Sequence, residues 1–129
     1  MTLSGAMRMS SSGMTAERFR MDVISTNLAN ANSVSINGQE PYRRREVRLE
    51  TTQDGVRVAA IVPDQRPFRV VYEPNNPNAN RDGFVSYSNI EPLQEMVSMI
   101  SAARSYEANI SAFNSARGMI RAAMTIGRM

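Results

Sequence analysis

EMVSMISAARSYEANISAFNSARGMIRAAMTI, residues 95–126, is the stretch on which the fold turns. Met96, Ala103, Ile110 and Met124 recur at one seven-residue position, and Met99, Tyr106, Phe113 and Ile120 recur three residues further on. That spacing lays an apolar seam along a single long helix. With its lead-in the predicted helix covers residues 88–126, and at 1.5 Å per residue it would be about 55–60 Å long, roughly twice what a compact domain of this size needs. Such a seam needs a partner. Arg117 takes one of its positions and small Ala103 leaves a gap at another. An arginine stem can cover apolar surface and a bulky partner residue can fill the gap.

The other end of the chain offers that partner. Leu3, Met7, Met14, Phe19, Met21, Ile24 and Leu28 mark a second helix, with Met7, Met14, Met21 and Leu28 spaced by sevens. Arg18 and Asp22 stand four residues apart on its polar face, base before acid, the weaker orientation for such a pair. The run from Ser10 to Gly13 is expected to interrupt the first turns, because glycine and serine are poor helix formers. The two ends of the chain are expected to pair as an antiparallel coiled coil.

Between them the period changes. Val47 and Leu49 alternate with Glu46, Arg48 and Glu50, and after Asp54-Gly55 the alternation resumes with Val56, Val58 and Ala60, which predicts a β-hairpin. Pro63-Asp64 and Pro67 punctuate a turn before a third strand over residues 68–72, and a short fourth strand is expected over 84–87. Residues 29–38, ending in Asn37-Gly38, and residues 73–83 are loops rich in Asn. The fold class is therefore α+β, with a small central antiparallel sheet that is too thin to stand alone. The expected organisation is one discontinuous helical domain, residues 1–32 with 88–129, around a central region over 33–87. The long helix begins either at a Ser88-x-x-Glu91 capping box or with Pro92 in the first helical position behind Glu91.

Composition narrows the chemistry. The chain has neither cysteine nor histidine among its 129 residues, which removes thiol nucleophiles, imidazole bases and the usual ligands of zinc. Glu91, Glu95 and Glu107 are the carboxylates of the long helix, and nothing else in the sequence builds a cleft around them. No enzyme activity, cofactor or metal is expected. Every basic side chain is arginine, and a net charge of +3 is not by itself a nucleic-acid signature. No stretch is apolar and long enough to span a bilayer, and the first residues lack the pattern of a secretory signal peptide.

Three local patterns invite functional readings. Tyr42-Arg43-Arg44-Arg45 with Arg48 could grip phosphates beside an aromatic ring, which makes a small coiled-coil nucleic-acid adaptor the alternative function. Glu40, Glu46 and Glu50 interleave with these arginines, however, and pairing with acids of a neighbouring subunit suits them better. Residues 78–83 look like the front of a calcium loop, but Asn89 stands where a bidentate Glu is needed, so a turn into the strand at Phe84 is the better reading. The ten methionines follow helical spacing, which suits adaptable packing against non-identical neighbours better than a soft-metal site.

Longer motifs reach a family. Val71-Tyr72-Glu73-Pro74, Asn76-Pro77-Asn78-Ala79 and residues 83–89 (GFVSYSN), with Glu95-Met96-Val97 and residues 103–109 (ARSYEAN), resemble the FlgC family of bacterial flagellar basal-body rod proteins. Residues 25–32 (STNLANAN) are similar to the N-terminal motif shared by rod and hook proteins, and Pro41-Tyr42-Arg43-Arg44 also fits. Asn76 stands where the family often has histidine and Ser88 where it often has proline. The resemblance implies a structural subunit of the proximal rod, which assembles with copies of itself and with other rod proteins, proximal and distal, into a helical driveshaft. It implies residence in the periplasmic part of the basal body, export by the flagellar type III apparatus without a cleaved signal peptide, no nucleic acid, and no direct insertion into the membrane. The expected assembly interface gathers Leu28, Asn30 and Asn32, the arginines Arg43 and Arg44, and Met96, Met99, Ile100, Ala103, Tyr106, Asn109, Ile110, Phe113, Arg117 and Ile120 of the long helix. In a free subunit the helical ends are expected to gain order only as neighbours cover the seam.

Overall fold

The computed structural model describes residues 2–128. Helix α1 (Leu3–Ala29) and helix α2 (Pro92–Gly127) lie antiparallel, and between them the chain forms strands β1 (Arg45–Thr52), β2 (Gly55–Pro63), β3 (Arg69–Tyr72) and β4 (Phe84–Tyr87). The α+β class and the pairing of the two terminal helices are as the sequence predicts. At 1.5 Å per residue the 27 residues of α1 span about 40 Å and the 36 of α2 about 54 Å.

Helix α1 runs unbroken through Ser10 to Gly13, contrary to the interruption expected there. Tertiary contacts outweigh the local preference. Ser10 and Gly13 are buried, and a methyl group added at Gly13 would lie 2.6 Å from the Asn109 side-chain oxygen of α2. Glycine is there because the second helix comes so close. Ser12 donates from its hydroxyl to the Met9 carbonyl (2.7 Å) and accepts from the Val56 amide (3.1 Å), so the same serine run joins the helix to the hairpin. Thr2 caps the start of the helix, its side chain accepting from the Gly5 amide at 2.9 Å. The ion pair on α1 is Arg20 with Glu17 at 3.3 Å. The Arg18–Asp22 pair expected from spacing is not formed among the described residues.

The four strands make two separate two-stranded antiparallel sheets, not the single sheet expected. β1 and β2 form the predicted hairpin, with a register irregularity between Arg48 and Leu49, and this hairpin packs against α1. Its turn touches the helix. Gly55 has φ +133°, and a side chain on it would run into Ser12 and the backbone of Met9. β3 and β4 form the second sheet, extended by a bridge from Val34 to Tyr87. Proline-bearing residues 63–67 separate the two, with β1–β2 packed on α1 and β3–β4 tied by backbone hydrogen bonds to Ser33 and Ser35.

Residues 73–83 are folded by their own side chains. Glu73 accepts from the Tyr87 hydroxyl (2.9 Å) and from Asn76 Nδ2 (2.8 Å), while Asn80 Oδ1 accepts from the amides of Asp82 and Phe84, both at 2.9 Å. The Asn80 bonds are turn-forming Asx bonds, as the turn reading of this segment requires. Of the two proposed starts of the long helix the second is observed, with Pro92 in the first turn behind Glu91 and with the Ser88 hydroxyl accepting from the Ile90 amide instead.

Candidate assembly interface

The inner face of the helix pair is made of small and polar residues. Ser10, Gly13, Ala16, Ile24 and Asn27 are the buried positions of α1, and Glu95, Ala102 and Ala116 those of α2. Gly13 meets Asn109 at one point and Asn27 meets Glu95 at another. The column of α2 that faces α1 is thus Glu95, Ala102, Asn109 and Ala116, flanked by half-buried Met99, Tyr106, Phe113 and Ile120. Compared with the sequence reading, the seam is rotated by one residue. Met99, Tyr106, Phe113 and Ile120 fall as expected, but Met96 and Ile100 point away, half or more exposed, and Arg117 is exposed. Ala103 and Ile110 lie at the flank, half-buried. Small side chains win the centre because they let the two backbones approach, which large methionines prevent.

One end of this seam holds a buried charge. Glu95 is 1 % exposed, and a carboxylate so placed is costly unless paired and hydrogen-bonded. Arg44, just ahead of β1, supplies the pair through its Nε, and Asn27 Nδ2 donates to the other Glu95 oxygen at 3.3 Å. The Arg44 guanidinium also meets Glu46 and, at 3.2 Å, Asp64. Burial works against its charge, yet the carboxylates of Glu95 and Glu46 hold its pKa above the ordinary arginine value. Asn27 further donates to the Arg45 carbonyl (2.9 Å) and accepts from the Arg45 amide (3.1 Å). Asn89 Oδ1 accepts from the Arg44 amide at 2.8 Å, and its Nδ2 donates to the carbonyls of Asp64 and Arg66. The end of α1, the start of β1 and the lead-in to α2 are locked at one point.

Asp64 lies beside this lock. The guanidinium of Arg66, 2.8 Å away, holds its carboxyl at about 2 against an ordinary 3.8, with burial opposing and Arg44 adding to the effect. A carboxyl with a depressed native pKa contributes stability that is complete above about 3.8 and is lost as pH falls toward 2. The thermal midpoint is therefore expected to fall between pH 4.5 and 2, and Asp64→Asn to flatten that part of the curve. Equal slopes for parent and variant in calorimetry would contradict the assignment.

The outer face of α2 is apolar and bare. Leu93, Met96, Val97 and Ile100 follow the i, i+3, i+4, i+7 spacing of one helix face and are 75, 52, 62 and 56 % exposed. Beside them a groove of about 630 Å³ is lined by Ala31, Asn32, Pro67, Ile90, Pro92 and Leu93 among others. At the other end of α2, Met119, Met124 and Ile126 are also more than half exposed. The antiparallel register puts Leu3 level with residue 119, so α2 continues for about 12 Å with no helix beside it.

The expected interface residues divide accordingly. Met96, Ile100 and Arg117 are outward, and Asn32 lines the groove. Met99, Tyr106, Asn109, Phe113 and Ile120 face α1 within the same chain, and Ala103, Ile110 and Leu28 flank it. Asn30 caps α1, donating from Nδ2 to the Thr26 carbonyl at 2.8 Å. Arg43 donates to the carbonyls of Asp64 (2.7 Å) and Arg66 (3.1 Å) and lies over the Phe68 ring. Arg43 and Arg44 are therefore engaged inside the subunit. The reason is Glu95, whose burial demands a cation. Leu93 and Val97 share the exposed face of Met96 and Ile100, and their spacing from those two is legible in the sequence. Glu95 and Asn27 were missed because a polar residue in a seam carries no mark of the partner that satisfies it.

The match to known proteins covers both ends of the chain and then all of it. Residues 7–35 match the family model described as flagella basal body rod protein, and residues 81–126 the one described as flagellar basal body rod FlgEFG protein C-terminal. The chain is 39 % identical to the flagellar basal-body rod protein FlgC of Bacillus subtilis (strain 168), over 99 % of its own length and 100 % of the relative's. The chain belongs to the FlgC family of flagellar basal-body rod proteins. It is 40 % identical to the FlgC of Buchnera aphidicola subsp. Acyrthosiphon pisum over 98 % of both chains, and 36 % identical to that of Salmonella typhimurium over 99 and 100 %. As a FlgC-family chain it is a structural component of the rod. The nucleic-acid alternative is not supported, since two of its proposed phosphate-binding arginines, Arg43 and Arg44, are spent on internal partners. Among the described residues there is no cluster of three His, Cys, Asp or Glu that could hold a metal, and no helix long and apolar enough to cross a membrane.

Proposed function

We propose that this chain is a subunit of the proximal rod, assembling with copies of itself and with other rod proteins into a helical shaft that carries motor torque to the hook and filament. The observation that carries the proposal is the bare apolar face of α2, Leu93, Met96, Val97 and Ile100, on a chain whose family is the rod. An apolar face of this extent is covered in the working state by protein. Contacts of the head-to-tail kind do not close on themselves and build a helical array, and they require two different surfaces per subunit. The outer face of α2 and its projecting end, with Met119, Met124 and Ile126, are two such surfaces at opposite ends of the helix pair. In this reading residues 1–32 and 88–129 form the assembling domain, and residues 33–87 brace it. Of the residues expected at the interface, Asn32, Met96, Ile100 and Arg117 meet neighbours.

The subunit acts without catalysis, nucleic acid or insertion into the membrane. It reaches the periplasmic rod through the flagellar type III apparatus, which suits a thin core of short side chains that opens readily for passage. Deleting the gene is expected to abolish swimming and to leave basal bodies without a completed rod, and isolated basal bodies from the parent should contain the chain cross-linked to itself and to other rod proteins. Flagellated, swimming deletion cells would refute the proposal.

A further inference from the structure

The α1–α2 seam admits a second register. Along the facing columns Ala6, Gly13 and Arg20 on α1 oppose Ala116, Asn109 and Ala102 on α2, and the four small residues among them leave room for a slide of one heptad. Sliding α2 so that Glu95 comes level with Arg20 sets Ala102 against Gly13 and Asn109 against Ala6, where the flexible end of the Asn109 side chain must turn aside from the Ala6 methyl. It also gives Glu95 a cation, since Arg20 now holds only Glu17, at 3.3 Å. A competing register is therefore built into the sequence.

Two matches oppose it, the close approach of Asn109 to Gly13 and the hydrogen bond from Asn27 to Glu95, set two heptads apart on both helices (13 to 27 and 95 to 109). The second is the stronger, because Arg44 reaches Glu95 from a backbone that Asn27 and Asn89 already hold. We propose that Arg44 is a positioning residue: its pairing with Glu95 selects the heptad register of the helix pair, and so sets how far the bare end of α2 projects beyond α1. A slide of seven residues lengthens that projection by about 10 Å. A polar group that fixes register in a helix pair is a well-attested use of buried polarity. The register stands on the contacts within the chain, and only its consequence for assembly rests on the rod reading.

Spin labels read the register directly, in a chain with no cysteine of its own. Labels at Ser4→Cys and Ser101→Cys, both exposed, lie about 25 Å apart along the helix axis in the observed register and about 15 Å in the competing one. The purified full-length chain is expected to give one distance by pulsed electron resonance. Arg44→Met is expected to add a population about 10 Å shorter, and Arg44→Lys to keep the parental distance. A helical Arg44→Met chain with the parental distance alone would overturn the proposal, as would a parent without a single distance. Should Arg44→Met lose its helicity, Arg44→Gln decides: it keeps a polar side chain at residue 44 and removes the cation while leaving the Glu95 charge for Arg20, the shifted population is expected again, and the parental distance alone overturns the idea. Failure of the rod reading would appear in the basal bodies and leave these distances unchanged.

Discussion

A subunit carrying Val97→Asp and Ile100→Asp is expected to fold like its parent and to build no rod. Both side chains are more than half exposed on the outer face of α2, away from Glu95, Ala102 and Asn109, which turn inward. Surface substitutions away from buried features usually change stability by no more than about 0.5 kcal/mol. In the assembled state the same positions are covered by a neighbour. Each loses about 1.5–3 kcal/mol of apolar burial and adds a carboxylate that must be stripped of water. Two such changes on every subunit act at every contact of the array. The checks are a circular-dichroism melt of the purified chain and swimming of deletion cells that express it. A parental melt with lost swimming is expected, and normal swimming would remove this face from the interface.

Phe113→Asp is expected to fail earlier, in the subunit itself. Phe113 stands between Asn109 and Ala116 on the side of α2 that faces α1, and it is one of the few large side chains there. The buried apolar residues elsewhere are mainly small: Ala16, Ala102 and Ala116, with Ile24, Val85 and Ile90. Truncating a fully buried phenylalanine costs about 3–5 kcal/mol; half-buried Phe113 loses a part of that, and a carboxylate in its place adds the cost of an unpaired charge at the seam. Set against a total stability of about 5–15 kcal/mol, the pair is not expected to hold. The purified variant should show reduced helicity and a broad, low melt, and its level in cells should drop. A variant that melts like the parent would place Phe113 outside the seam. Together the two variants separate what holds the helices to each other from what holds subunits together.

That separation bears on order in the free subunit. The sequence reading has the paired ends gain order only as neighbours cover them, and in the structure α1 covers the inner column of α2 within one chain. What remains for neighbours is the outer face and the projecting end beyond residue 119. The pairing of the two helices is thus available within one chain to offset part of the ordering entropy.

Much of this was legible from residue order. The seven-residue period called for two long helices, the break to alternation at Val47 called for strands, and Asp54-Gly55 called for the hairpin turn. These are local signals, because periodicity and turn chemistry act over a few residues. The motifs at 71–89 and 103–109 pointed to the family on the same footing. The one-residue rotation of the seam was not legible. A column of Met96, Ala103 and Ile110 is the more apolar choice, and hydrophobic spacing alone prefers it. The structure prefers Glu95, Ala102, Asn109 and Ala116, because close approach of two backbones rewards small side chains at the centre and frees the large ones for the outside.

By itself, then, the sequence determined the elements, their order, the antiparallel pairing of the ends and the family. It could do so because each rests on short-range propensity or on motifs spelled out in consecutive residues. Only the tertiary structure decided which face of α2 is inside, that Arg44 answers Glu95 within the subunit, and that β1–β2 and β3–β4 part into two ribbons. Those outcomes depend on residues far apart in the chain, 51 positions in the case of Arg44 and Glu95. A buried charge chooses its partner by distance in space, and no spacing along the chain records it.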